Sequence, residues 1–134
     1  MKVLSLFDGI SCGMLALQRA GIPVECYDAF EIDKYAVTVS KRNFPVIVHH
    51  GNVYDGDFTQ FKGYDLLLGG SPCTYWSIAK KDREVDCNGE GFRLFKEYVR
   101  ALEESGCKYF LYENNYSVHQ NIKDEITRVL GVEP

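Results

Sequence analysis

Apolar positions in this chain fall in short blocks that switch between a strand period and a helix period. Residues 2–7 alternate and then run apolar, which predicts a first strand. Residues 8–13 form a turn, and residues 14–20 have helical propensity and stop at Gly21, with Pro23 close behind. Residues 24–32 predict a second strand ending in Glu31, Ile32 and Asp33. Residues 34–43 predict a helix closed before Pro45, and residues 46–50 a third strand that Gly51, Asn52 and Val53 leave. A fourth strand falls on residues 64–68, a fifth on 107–112, and a last helix on 122–130, ending at Gly131. The longest helix is predicted over residues 90–105, where Phe92, Leu94, Phe95, Tyr98, Val99 and Leu102 make an apolar stripe.

Strands alternating with helices imply βαβ units and a parallel sheet. Right-handed crossovers then give an α/β, Rossmann-like doubly wound sheet with the order 3-2-1-4-5. No repeat, low-complexity segment or linker divides residues 1–134, so they read as one domain. Residues 77–89 are the least regular and hold Lys80, Lys81, Asp82, Arg83, Glu84 and Asp86. They predict a long mobile loop, of the kind that is more often functional or disordered than filler.

Composition narrows the class. The chain is 46% hydrophobic and 25% charged, enough for a core. Its net charge of −4 gives no general attraction to nucleic acid or an anionic membrane. No apolar run approaches the roughly 20 residues a membrane helix needs. Five cysteines (Cys12, Cys26, Cys73, Cys87 and Cys107), with no C-x-x-C pair, argue against a disulfide framework and a structural zinc site. A reducing cytoplasm is the natural setting.

Candidate chemistry gathers at the strand ends, which in this fold share one edge where ligands bind. After strand four comes Gly69-Gly70-Ser71-Pro72-Cys73-Thr74. Pro72 fixes its own φ and pushes Ser71 into an extended shape, so a cysteine sits on a stiffened turn. It is either a nucleophile or a buried structural thiol. After strand one, the glycines of residues 8–13 let a ligand approach the backbone, and the following helix offers free N–H groups. After strand two, Glu31 has the place of an acid that holds ribose hydroxyls, and after strand three Asn52 has an amide suited to an adenine edge. Each alone also reads as a turn residue or a solvated acid. Together they outline a nucleoside-bearing cofactor, NAD or S-adenosylmethionine. Asp8 argues against NAD, since it would face a pyrophosphate, and a sulfonium amino acid suits it better. Glu113 follows strand five, so thiol and carboxyl are expected to face one cavity. A thiolate can add to C6 of a pyrimidine while a carboxylic acid bonds N3, leaving C5 able to take a methyl group. Burial is expected to keep Glu113 protonated for that task. The plainer alternative is an acid capping the last turn.

The ordered motifs Phe7-Asp8-Gly9-Ile10-Ser11-Cys12-Gly13, Glu31, Gly70-Ser71-Pro72-Cys73 and Glu113-Asn114 resemble those of the DNA cytosine-5 methyltransferases. Gly89-Glu90-Gly91-Phe92-Arg93-Leu94-Phe95 resembles the helix start after the catalytic loop in phage and de novo type members. The resemblance implies methyl transfer from S-adenosylmethionine to C5 of a flipped-out cytosine in DNA. It implies Cys73 as nucleophile and Glu113 as the N3 partner. Phe7, Asp8, Gly9, Ile10, Ser11, Cys12, Gly13, Glu31, Ile32, Asn52, Val53, Gly70 and Pro72 are implied around the cofactor, and Ser71, Pro72 and Asn114 beside the base. Thr74 stands where members usually have glutamine or asparagine, Asn52 replaces a common aspartate, and Asn115 a common valine. The Gln-x-Arg-x-Arg segment, the target-recognition region and the last motif of the family are absent from residues 1–134. The resemblance thus implies the cofactor-binding, catalytic part of a bacterial or phage modification enzyme, completed within one chain or by a second. An inactive cofactor-binding remnant and a tRNA cytosine-5 methyltransferase are the alternatives. Self-association through uncovered sheet edge is also expected. Lys80, Lys81 and Arg83 are placed to touch phosphates or to stay solvated.

Overall fold

The computed structural model describes residues 1–133. Five parallel strands run in the order β3-β2-β1-β4-β5: β1 (Lys2–Leu6), β2 (Cys26–Phe30), β3 (Val48–His49), β4 (Leu66–Gly69) and β5 (Tyr109–Tyr112). Four helices connect or flank them: α1 (Cys12–Arg19), α2 (Lys34–Asn43), α3 (Glu90–Ser105) and α4 (Gln120–Leu130). The expected doubly wound order is therefore the observed one.

Alternation along β1 divides the core. Leu4 and Leu6 join Phe58, Phe61, Leu67, Tyr98 and Ala101 on the α3 face. Val3 points the other way, with Met14, Leu17, Tyr27 and Ile47 on the α1 face. A third cluster, Trp76, Phe92, Phe95, Val118, Ile122 and Ile126, closes α3 against α4. Side chains at i, i+3 and i+6 put Phe92, Phe95 and Tyr98 on one side of α3, and all three are buried.

All five predicted strands shorten, the second and third most. The third keeps only Val48–His49, because only Asp28 and Ala29 of β2 face it in register. The second starts at Cys26, opposite Lys2, where β1 itself begins. Between β3 and β4 the chain makes two short helical turns, Val53–Asp55 and Phe58–Phe61, capped by Asn52 and Asp57. Among the described residues no helix is long and apolar enough to cross a membrane.

Register positions the site. Leu6 pairs with Phe30 on one side and Gly69 on the other, and Gly69 pairs with Tyr112. The next residue of each strand therefore emerges at one level: Phe7, Glu31, Gly70 and Glu113.

Candidate active site

The segment after β1 is wound tightly. Phe7, Gly9 and Ser11 all have positive φ, at 56°, 58° and 68°. Two of them are not glycine, and such left-handed backbone persists only where surroundings over-determine it. Asp8 supplies that constraint. Its carboxylate accepts from Ser5 Oγ at 2.6 Å, from Tyr27 Oη at 2.6 Å, and from Ser11 Oγ. Ser11 is fully buried and also meets Ser40 Oγ at 2.5 Å. Asp8 and Ser11 are thus turned into the fold, holding the loop from beneath. Gly13 packs closely where α1 crosses the sheet, since a Cβ there would stand 2.8 Å from Leu68 Cδ1 and 2.9 Å from Tyr27 Oη.

Glu31 ties the first two strand ends together. One oxygen accepts the Gly9 N–H and the other the Asp33 N–H, both at 2.8 Å. Its remaining lone pairs face a cavity of about 330 Å³ lined by Phe7, Phe30, Glu31, Ile32, Gly51, Asn52, Val53, Tyr54, Pro72, Thr74, Tyr75, Glu90 and Leu94. Six expected cofactor residues meet here: Phe7, Glu31, Ile32, Asn52, Val53 and Pro72. Asp8, Gly9, Ile10, Ser11, Cys12, Gly13 and Gly70 stand outside this lining. Asn52 spends its side-chain oxygen on the Tyr54 N–H at 3.0 Å, leaving its NH₂ to the cavity. Sequence reasoning assigned no cofactor role to Phe30, Gly51, Tyr54, Thr74, Tyr75, Glu90 or Leu94, although Glu90 and Leu94 stood in the helix-start motif. Glu90 and Leu94 are four residues apart at the start of α3, so helical spacing was a signal for both. Tyr54 donates to Glu90 Oε1 at 2.6 Å. Desolvation, then the Glu90 carboxylate, pushes its phenol up to about 12. The lining has two carboxylates and no lysine, arginine or histidine. It suits an apolar-bodied cation and repels a pyrophosphate.

A shallower groove lies on the other side of Pro72. Gly70, Ser71, Pro72, Cys73, Glu113, Asn114 and Asn115 line it. Pro72 belongs to both walls. Cys73 and Glu113 are both exposed in it, so the expected burial of the carboxyl is not found; β5 ends at Tyr112 and leaves Glu113 at the surface. The two turns touch through backbone: a Cβ on Gly70 would lie 2.0 Å from the Glu113 carbonyl oxygen. Only glycine permits that approach. Asn114 Nδ2 donates to the Ser71 carbonyl at 2.9 Å, and Ser71 is buried, with its hydroxyl engaged rather than facing the groove.

Residues 77–89, predicted mobile, are anchored. Trp76 before them is fully buried. Glu84 accepts the Glu90 and Gly91 N–H groups at 2.9 and 3.0 Å, capping α3. Arg83 donates to the Ser117 carbonyl at 2.9 Å, which turns it toward the protein rather than toward the phosphate or solvent expected of it. Lys80 and Lys81 remain exposed.

The matching family model is the C-5 cytosine-specific DNA methylase, over residues 1–130. The chain is 38% identical over 118 residues to the orphan methyltransferase M.SPRI of Bacillus phage SPR, covering 85% of this chain and 26% of the phage protein. It is 34% identical over 116 residues to the type II methyltransferase M.HgiCII of Herpetosiphon aurantiacus, covering 84% of this chain and 25% of that one. The chain thus spans about a quarter of the length of these curated relatives. Among solved structures, S. pombe Dnmt2 superposes with a TM-score of 0.72 at 20% identity, covering 98% of this chain and 39% of that one. A Spodoptera frugiperda DNMT2 variant gives 0.75 at 23% identity, with 97% and 40% covered. These two likenesses concern the fold. Sequence motifs, sheet order and family model agree, and the chain belongs to the C-5 cytosine-specific DNA methylase family.

Proposed function

We propose that residues 1–134 are the cofactor-binding and nucleophile-bearing domain of a DNA cytosine-5 methyltransferase. The observation that carries this is the shared wall: Pro72 separates an acid-lined cavity from a groove holding Cys73 and Glu113. The cavity residues fit S-adenosylmethionine, whose sulfonium and ammonium charges suit Glu31 and Glu90. Glu31 has lone pairs free for ribose hydroxyls, and Phe7, Phe30, Val53 and Leu94 offer apolar surface for a purine. When bound, this cofactor supplies an electrophilic methyl group.

In this reading the Cys73 thiolate attacks C6 of an extruded cytosine. A protonated Glu113 hydrogen-bonds N3, so that electron density develops at C5 rather than staying on the ring nitrogen. Once C5 has taken the methyl group, a base removes the C5 proton, the C6–S bond breaks and the thiolate leaves. The exposed Glu113 is desolvated by the base itself as it fills the groove. Asn114 keeps the turn of Cys73 in place through the Ser71 carbonyl. Duplex DNA is the substrate, and the contacts that hold it and flip the base come from protein beyond these residues, in one chain or a companion. The open β5 edge, with Tyr109 and Leu111 more than half exposed, is where further protein or a second copy adds.

The test takes the chain with S-adenosylmethionine, NAD and a duplex carrying 5-fluorocytosine, beside a tRNA bearing the same base. Calorimetry is expected to show binding of S-adenosylmethionine and none of NAD. With the chain completed by the protein that holds the duplex and extrudes the base, denaturing gels are expected to show a covalent DNA adduct that Cys73→Ala abolishes. Absence of cofactor binding overturns the cavity assignment, an adduct surviving Cys73→Ala overturns the nucleophile, and preference for tRNA overturns the substrate.

A further inference from the structure

The hydroxyl of Tyr112, at the end of β5, has no role in the reading above. Its ring packs edge-on against Phe95 and Tyr98, with centroids 5.3 and 5.0 Å away. Burial pushes its phenol pKa up. The hydroxyl shares a 2.6 Å hydrogen bond with Ser71 Oγ. Asn114 Nδ2 donates at 3.2 Å to the Tyr112 hydroxyl and at 3.2 Å to Ser71 Oγ. Ser71 is 3% exposed. It precedes Cys73 by two residues with Pro72 between, so its placement passes along a stiff link. Asn114 directly follows Glu113.

Two turns that carry exposed reactive groups are thus joined underneath by a half-buried pair of hydroxyls. We propose that Tyr112 is a positioning residue: through Ser71 its hydroxyl sets where the Cys73 thiol stands relative to the Glu113 carboxyl. This rests on the reading of Cys73 and Glu113 as a reacting pair. The ring of Tyr112 belongs to the core, and only its oxygen belongs to the clamp, so phenylalanine removes the clamp and keeps the packing.

The experiment measures that separation without needing methyl transfer. Glu113→Cys places a second thiol in the groove, and dibromobimane fluoresces once two thiols have displaced both of its bromides. Peptide mapping identifies the product joining positions 73 and 113. With Tyr112 and Ser71 intact the crosslink is expected to form readily. Added Tyr112→Phe is expected to slow it about tenfold, the scale on which small misplacements cost rate. Ser71→Ala is expected to act alike. The double variant separates positioning from stability. Removing both hydroxyls leaves neither unpaired, so its thermal midpoint is expected to recover toward that of the parent. Its crosslinking is expected to stay slow. An unchanged rate in Tyr112→Phe, or a rate that recovers with the midpoint in the double variant, overturns the clamp alone. No crosslink even with both hydroxyls intact overturns the pairing of Cys73 with Glu113, and this proposal with it.

Discussion

A methyl group added at position 70 has nowhere to go. A Cβ there would sit 2.0 Å from the Glu113 carbonyl oxygen, and that oxygen is backbone and cannot swing aside. Gly70→Ala is therefore expected to cost about 1–3 kcal/mol, the range for overpacking, toward its upper end. It must also part the turns of Cys73 and Glu113. Urea unfolding checks the first; an unchanged midpoint would mean that the turns separate freely and that their contact fixes nothing. Glu31 tests the cavity in the same way. Its carboxylate braces Gly9 and Asp33 and also lines the cavity. Glu31→Ala is expected to weaken S-adenosylmethionine by about 1–3 kcal/mol, the cost of unpaired hydroxyls. Unchanged affinity by calorimetry would place the ribose elsewhere. Residue types at strand ends were readable from sequence, but their facing was not. Asp8 lies in the expected turn, yet its carboxylate is consumed by three hydroxyls from β1, α1 and β2. Two of those partners, Ser5 and Ser11, are near in sequence, but Tyr27 arrives from the next strand, and no local pattern announces it.

At the scale of the element, helices were more legible than strands or loops. α2 and α3 have the expected bounds, because capping and stop signals are local: Asp33 accepts the Tyr35 and Ala36 N–H groups, and Gly106 ends α3 at φ 63°. β3 was less legible because a strand ends where its neighbour stops pairing. Residues 77–89 misled for a related reason. Their charges read as solvated, yet Glu84 reaches the N-terminus of α3, where its negative charge also meets the positive end of the helix dipole. Gly89 and Gly91 exist beside it, since a Cβ at Gly89 would come within 2.1 Å of the Glu84 carboxyl carbon. Glu84→Ala is expected to cost roughly 0.5–2 kcal/mol, as other N-cap losses do. It is also expected to expose residues 77–89 to trypsin at Lys80 and Lys81. Cleavage no faster than in the parent would show that buried Trp76 and the Arg83–Ser117 bond hold the loop without Glu84.

Across the whole molecule, one run of hydrogen bonds joins the loop after β1 to α1, α2 and β3. Asp8 bonds Ser11 at the head of α1, Ser11 meets Ser40 of α2, and Ser40 meets His49 of β3 at 3.3 Å. The strand order 3-2-1-4-5 was readable from the alternation of strands and helices and from crossover handedness. The link itself was not, since it depends on which face each side chain takes. His49 is its titratable end. Desolvation first, and then Lys41, holds its pKa below the ordinary 6.5. The Nδ1 atom is buried without a partner among the described residues, so protonation would leave an N–H with no acceptor. The unfolded chain therefore binds this proton more readily than the folded one. Stability from His49 is full above about 6.5, the unfolded value, and is lost as pH falls below it. The thermal midpoint is expected to drop between pH 7 and pH 5, and His49→Gln, which has no charge to gain, is expected to flatten that part of the profile. An equal slope in parent and variant would move the acid sensitivity to another group and leave the Ser11–Ser40–His49 run without influence on folding.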